Sequence, residues 1–205
     1  MDSAFLITAF ATLFVVIDPP GLIPMFIALT PGMTAEHRRV IGLRACLIAI
    51  GILTLFGLMG EAVLGFIGIS MSAFRIAGGI LLFLTALDML FERRTQRREG
   101  QTTVADHDPS VFPIAIPLIA GPGAIATMIL LVGESGGGWQ GTLTVHLVMI
   151  FVVFLAFLLF LVAGPLERAL GRTGTVVITR LLGMLLAALS VQFVIDGVRG
   201  TGLIG

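Results

Sequence analysis

The residues best suited to chemistry lie in two short proline- and glycine-rich stretches, Asp18-Pro19-Pro20-Gly21 and Gly121-Pro122-Gly123. Consecutive prolines remove two backbone donors and clash with the preceding turn, so a helix running through residues 18–21 has to break there. Gly21 tolerates the conformations a break requires. A helix restarting after a break exposes free N–H groups and the positive end of its dipole, which stabilise an anion such as a carboxylate. The stub ending before the break offers carbonyls to a cation or an ammonium. A zwitterionic amino acid matches both ends at once. The candidate binding residues are therefore Asp18, Pro19, Pro20, Gly21, Gly121, Pro122, Gly123 and, one turn beyond Gly123, Thr127.

Asp18 stands in an apolar run, where a carboxylate at mid-helix costs about 2.5–3.5 kcal/mol and needs a partner or a task. Three compatible roles are open to it: proton carrier, acceptor for a substrate ammonium, and cap of a half-helix beginning at Pro19. The second stretch has Ala120 in the matching place. Arg75 and Arg180 each open an apolar segment. They are the coupling or gating candidates beside Asp18, with interfacial snorkelling as the plainer reading. Thr8, Thr12, Thr85, Ser190 and Gln192 are expected to make interhelical hydrogen bonds. Asp88, Glu134 and Asp196 fall near segment ends, at the interface. His146 is expected to make a packing hydrogen bond, and Cys46 to be a small packing residue.

These groups have to be positioned by membrane helices. The chain has 205 residues, 57% hydrophobic and 12% charged, with a mean hydropathy of +1.10. Soluble domains are about 45–50% apolar and about 25% charged. A soluble enzyme, a secreted disulfide scaffold and a disordered chain are excluded. A formal net charge of +0 and the lack of a basic domain argue against nucleic acid as a partner. A spanning helix takes about 20 apolar residues. Six spans fit, at about 4–29, 39–60, 70–91, 111–133, 142–165 and 176–198, which leaves no room for a soluble domain. The first lacks a basic leader and a small-residue cleavage site, so it is expected to remain as a span.

The fold class that follows is an all-α polytopic protein: one transmembrane domain over 1–205 in a lipid bilayer, discontinuous in its first and fourth helices. Arginine sets the orientation. Arg38, Arg39, Arg44, Arg93, Arg94, Arg97, Arg98, Arg168, Arg172 and Arg180 share one side; Arg75 and Arg199 occupy the other. The positive-inside rule puts both termini outside the cytoplasm, with Trp139 as an interfacial anchor. Small-residue positions suit packing within a protomer or in a homo-oligomer equally.

The halves, about 1–91 and 111–205 around a cytoplasmic loop of about 92–110, repeat each other. Pro20-Gly21 matches Pro122-Gly123. Leu64-Gly65-x-x-Gly68 matches Leu170-Gly171-x-x-Gly174. Arg75-Ile76-Ala77-Gly78 matches Arg180-Leu181-Leu182-Gly183, and Thr85 falls opposite Ser190. Three spans per half is an odd number, so the second half enters from the opposite side. That predicts a 3+3 inverted repeat with a pseudo-two-fold axis in the membrane plane, and with it alternating access.

Enzyme motifs are not supported. Gly133-Glu134-Ser135-Gly136-Gly137 fits G-x-S-x-G only formally, because the nucleophile elbow needs a strand-to-helix turn. Asp106-His107-Asp108 reads as a solvated loop rather than a metal site. No cofactor and no metal is called for.

At these motifs the chain resembles the MarC family of bacterial inner-membrane proteins, also known as the SnatA-type small neutral amino acid transporter family. The resemblance rests on Asp18-Pro19-Pro20-Gly21 with Pro24 and Phe26, and on Gly68-Ile69-Ser70 followed by Arg75-Ile76-Ala77-Gly78-Gly79. It rests further on Pro117 with Gly121-Pro122-Gly123, and on Arg180-Leu181-x-Gly183 followed by Gln192-Phe193-x-x-Asp196-Gly197. It implies six spans in the plasma membrane, membership of the LysE-type superfamily, glycine- or alanine-sized substrates and proton coupling. The doubled proline departs from the family's more usual single proline. The competing readings are a channel or exporter of another small solute, a non-transporting membrane-integrity protein, and an intramembrane enzyme.

Overall fold

The computed structural model describes residues 3–91, 108–136 and 138–202. Its elements are α1 (Ser3–Ile17), α2 (Pro19–Leu29), α3 (Ala35–Ile67), α4 (Met71–Leu90), α5 (Ser110–Ile119), α6 (Pro122–Glu134), α7 (Trp139–Leu161) and α8 (Ala163–Gly200). The described residues contain no strand. Arg93, Arg94, Arg97, Arg98, Asp106 and His107, singled out above, lie outside them.

Five helical stretches are long and apolar enough to cross a membrane: Ser3–Leu29, Ala35–Ile67, Met71–Leu90, Trp139–Leu161 and Val176–Gly200. α5 and α6 together make a sixth, bent by 54° at its break. Five of the six expected spans are single helical stretches, the bent α5–α6 pair counted as one span makes the sixth, and boundaries move by a few residues. The larger departure is in the first half of the fourth span. α5 is wound as a wide π-type segment with extended backbone at Phe112 (φ −130°, ψ 124°) and Ile116 (φ −125°, ψ 124°). Each of these precedes a proline, Pro113 or Pro117, and a residue before proline is pushed out of the helical region. α8 likewise turns at Gly171 (φ 61°) before its apolar stretch begins.

Helix ends are closed locally. The Thr34 and Ser70 hydroxyls accept from the amides of His37 and Ala73 as N-caps. Gly68 ends α3 in the left-handed conformation (φ 82°), its amide bonding back to Leu64 and Gly65. The Arg38 guanidinium donates twice, at 3.2 and 3.0 Å, to the Thr30 carbonyl that closes α2. That places a cation at the negative end of the α2 dipole.

Side-chain contacts fix the directions of the spans. Phe10 lies against Phe151 and Phe26 stacks on Phe160 with ring centroids 4.3 Å apart, so α1 and α2 run parallel to α7. Gly57 faces His146 and Gly42 faces Phe160, so α3 runs antiparallel to α7. Gly57 and Gly60 face Met128 and Ile129, so α6 follows α3. α1 and α6, which also touch, therefore run antiparallel.

The halves are interlaced. α1 and α2 pack against α7 and α8 of the second half, while α5 and α6 pack against α3, and α6 also against α4. The most extensive seam joins α4 to α8. Glycine makes this close approach feasible. A Cβ at Gly79 would come 2.8 Å from the Ser190 carbonyl oxygen, and one at Gly197 would come 3.0 Å from the Ser72 carbonyl oxygen. The outward faces, with Leu47, Leu55, Phe66, Leu84, Phe151 and Leu185 exposed, are apolar and suited to hydrocarbon. Trp139 is 73% exposed at the start of α7, a site open to a headgroup contact.

Replacing Gly79 or Gly197 with leucine should force α4 and α8 apart and cost about 1–3 kcal/mol. Gly51→Ala, where nothing lies within 4 Å, should be neutral or stabilising by up to about 1 kcal/mol. Melting temperatures in detergent should therefore fall for the first two variants and hold or rise for the third. Equal behaviour of all three would show that the seam is not what glycine is for.

Candidate functional site

The first break is a single residue. Asp18 takes left-handed backbone angles (φ 54°, ψ 59°), which among L-residues aspartate and asparagine adopt most readily. Its amide still donates to the Phe14 carbonyl (2.9 Å), completing α1, and its carbonyl accepts from Leu22 (3.1 Å), starting α2. Its side chain, only 2% exposed, turns back as the N-cap: Oδ1 accepts from the Gly21 amide at 3.1 Å. Pro19 and Pro20 have no amide hydrogen to satisfy. The N-terminus of α2 is thus complete within its own first turn. Gly21 is required by space as well, because a Cβ there would overlap the Asp18 carboxylate.

The second break is built differently. The Ala120 amide reaches back to the Ala115 carbonyl (2.9 Å), and Gly121 is extended (φ −80°, ψ 169°) ahead of Pro122, the first residue of α6. Gly121 contributes no side-chain cap. The Gly123 and Ala124 amides, orphan donors of a first helical turn, receive no side-chain cap among the described residues. A Cβ at Gly121 would meet the Pro117 carbonyl oxygen at 2.6 Å, so the tight turn admits glycine alone.

The structure shifts the match between the two stretches by one residue. The sequence reading paired Pro20 with Pro122 and Asp18 with Ala120. In space the first helical residue is Pro19 in α2 and Pro122 in α6, and the caps are Asp18 and Gly121. The same separation relates the left-handed glycines Gly68 and Gly171, whereas the sequence match sets Gly65 opposite Gly171 and Gly68 opposite Gly174. The cause at the breaks is the doubled proline: the first of the pair sets the helix start, and Pro20 becomes an extra residue in the first turn.

The two breaks approach each other through Gly123. A Cβ built there would lie 3.4 Å from Val16 Cγ1, 3.3 Å from Leu82 Cδ2 and 3.6 Å from Thr85 Oγ1. α1, α4 and α6 therefore converge two residues before Asp18. Gly121, Gly123 and Thr127 are buried, Pro20 and Gly21 are half-buried, and Pro122 is exposed. Thr85 donates to the Leu81 carbonyl (3.0 Å) and Ser190 to that of Ala187 (2.7 Å). Thr8 and Gln192 are exposed, away from this convergence.

The two matched arginines part company. Arg75 Nη2 pairs with Glu134 Oε1 at 3.1 Å, joining the first turn of α4 to the end of α6. Arg180 is exposed. Glu134 as the partner of Arg75 was not readable from the sequence, because nothing local links two residues so far apart in the chain. Asp196 accepts from Gln192 at 2.9 Å and lies 3.9 Å from Arg199. His146 Nδ1 bonds to the Thr142 carbonyl (2.7 Å), its ring filling the space left by Gly57. The Ser135 hydroxyl folds back onto the Val132 carbonyl at 2.7 Å. Outside the membrane spans, the Ser110 amide and Arg44 both donate to Asp108. The amide first and the guanidinium less strongly hold the Asp108 carboxyl below the ordinary carboxylate range. Those contacts persist into mildly acid solution and are lost as pH falls through the lowered value. Among the described residues no three His, Cys, Asp or Glu side chains form a metal-sized group.

Removing the cap should be felt at the first break. Gly21→Ala should drive the carboxylate off the α2 amide and destabilise by about 1 kcal/mol or more. Asp18→Asn keeps an acceptor oxygen and should stay close to wild type in thermal stability, whereas Asp18→Leu should fall with Gly21→Ala. An unchanged melting temperature for Asp18→Leu would show that the capping bond carries no stability.

The family description "MarC family integral membrane protein" matches residues 3–201. A protein of Archaeoglobus fulgidus named as a UPF0056 membrane protein is 39% identical over 197 residues, covering 95% of this chain and 92% of its own. The UPF0056 membrane protein YvbG of Bacillus subtilis is 35% identical over 206 residues, covering 98% and 97%. The UPF0056 inner membrane protein YhgN of Escherichia coli is 33% identical over 198 residues, covering 95% and 96%. No solved structure matches the chain. Six apolar spans, two of them interrupted, and a family match running almost from end to end place this multi-pass chain in the MarC family of integral membrane proteins.

Proposed function

We propose that this protein is a secondary transporter of small neutral amino acids, of glycine or alanine size, working by alternating access with proton coupling. The observation that carries the reading is the electrostatic difference between two breaks meeting inside one bundle. At α2 the helix N-terminus is already satisfied by Asp18; at α6 it has no side-chain cap. An anionic group entering the bundle would be stabilised at the uncapped end. Interrupted spans in matched positions are the usual pointer to a transporter site, and irregular backbone at membrane depth is tolerated where it is buried or lines a cavity.

The reading takes the halves as inverted repeats. In support, the caps, the helix-starting prolines and the left-handed glycines recur at one separation, and each broken span rests on helices of the other half. Little space surrounds Gly123, which favours a substrate with a hydrogen or a methyl side chain. Asp18 is the proposed proton carrier. Arg75, with Glu134, and Arg180 are the proposed gate residues. The proposed location is the inner, or plasma, membrane with both termini outside, in keeping with the name of the Escherichia coli relative.

The test is counterflow of labelled glycine and alanine into proteoliposomes of the purified protein. Saturable counterflow is expected from the wild type. Gly123→Val should reduce it at least about tenfold by filling the seam. Asp18→Asn should retain exchange but lose accumulation driven by a pH gradient. Absence of counterflow across a panel of amino acids would reject the substrate class, and full transport by Gly123→Val would reject the placement of the site.

A further inference from the structure

Among the described residues three buried hydroxyls have no hydrogen-bond partner: Ser110, at the very start of α5, and two that lie well inside the spans, Thr12 and Thr127. Thr30, Thr85 and Thr144 each donate to the carbonyl four residues back along their own helix, and Ser190 to the carbonyl three back. Thr12 on α1 and Thr127 on α6 do not. Both are fully buried, and neither Oγ1 has a hydrogen-bond partner among the described residues. A buried hydroxyl left without a partner is costly, and in hydrocarbon no bulk water relieves it.

Their positions are related. Val16 lies against Gly123 where α1 crosses α6. α1 and α6 run antiparallel, so one turn back from Val16 and one turn on from Gly123 bring Thr12 and Thr127 to the same level of the seam. A helical side chain leans toward the N-terminus of its own helix, over the preceding turn. Thr127 therefore overlies the turn that begins at Gly123, one turn inward from the Gly123 and Ala124 amides, whose N–H bonds point toward the break.

We infer that Thr12 and Thr127 form the ammonium end of a zwitterion site in the α1–α6 seam, with the substrate carboxylate on the Gly123 and Ala124 amides. The inference rests on the amino acid transporter reading and gives the substrate an orientation within it. The carboxylate meets the positive end of the α6 dipole. The ammonium supplies the donors that two unpartnered hydroxyl oxygens can accept, since a threonine hydroxyl is acceptor as well as donor. Gly123 puts no side chain between the two ends, where the seam as it stands leaves little room. Asp18, committed through Oδ1 to α2, is then free of the task of holding the substrate ammonium.

The experiment measures alanine binding to the purified protein in nanodiscs, with propionate, which has the carboxylate but no ammonium, as competitor. The wild type should prefer alanine to propionate by about a hundredfold or more. The paired variant Thr12→Val with Thr127→Val, which keeps side-chain volume, should lose at least about tenfold in alanine affinity and leave propionate unchanged. The paired serine variant should restore the preference. Without ligand the valine variant should melt at or above the wild-type temperature, because it removes buried groups that lack partners. Wild-type alanine affinity in the valine variant, or a lower melting temperature in it, would overturn the inference and leave the transporter reading standing. Failure of the wild type to bind alanine at all would overturn both.

Discussion

A helix broken inside a membrane frees amides and carbonyls where bulk water does not reach, so each has to find a partner within the protein. The rest of this molecule depends on how that constraint is met at Asp18. One residue in a left-handed conformation ends α1 with its amide, begins α2 with its carbonyl and caps α2 with its side chain. The two prolines that follow remove the remaining donors. The same rule acts at the far ends of the restarted helices. Thr30 and Ser135 turn their hydroxyls back onto their own last turns, and Arg38 clamps the Thr30 carbonyl.

At Gly121 the constraint is met only in part. The turn is too tight for a side chain because the Pro117 carbonyl occupies the place of a Cβ. The residue that could have capped α6 is thereby excluded by geometry. Two helix starts of different backbone design, left-handed at Asp18 and extended at Gly121, also differ in electrostatic character: one carries its own carboxylate, and the other has no side-chain cap. The difference lies in a single cap position.

Much of this was legible in the residues. Run length and hydropathy located six spans, because a bilayer admits few ways of hiding a backbone. Asp18-Pro19-Pro20-Gly21 and Gly121-Pro122-Gly123 marked the breaks through proline's missing donor. A Pro-Gly pair sets Pro20 opposite Pro122, whereas the proline that follows each cap and starts each helix is Pro19 in α2 and Pro122 in α6. The irregular α5 followed from Pro113 and Pro117, whose effect on Phe112 and Ile116 is local and could have been applied. What local rules could not supply was anything decided across the bundle. The Arg75–Glu134 pair, the Gly57 space that receives His146 and the meeting of Val16 with Gly123 all depend on which helices lie side by side.

The interlaced packing bears on how such a chain comes to be made. α1 and α2 leave the ribosome first, yet the helices they rest on, α7 and α8, are made last. α5 and α6, by contrast, find α3 and α4 already in place. The first broken span, carrying a buried carboxylate, meets α6 and then most of its other helix neighbours only in the second half of the chain. Its cap, by contrast, is made within residues 18–22. The second break has no such cap.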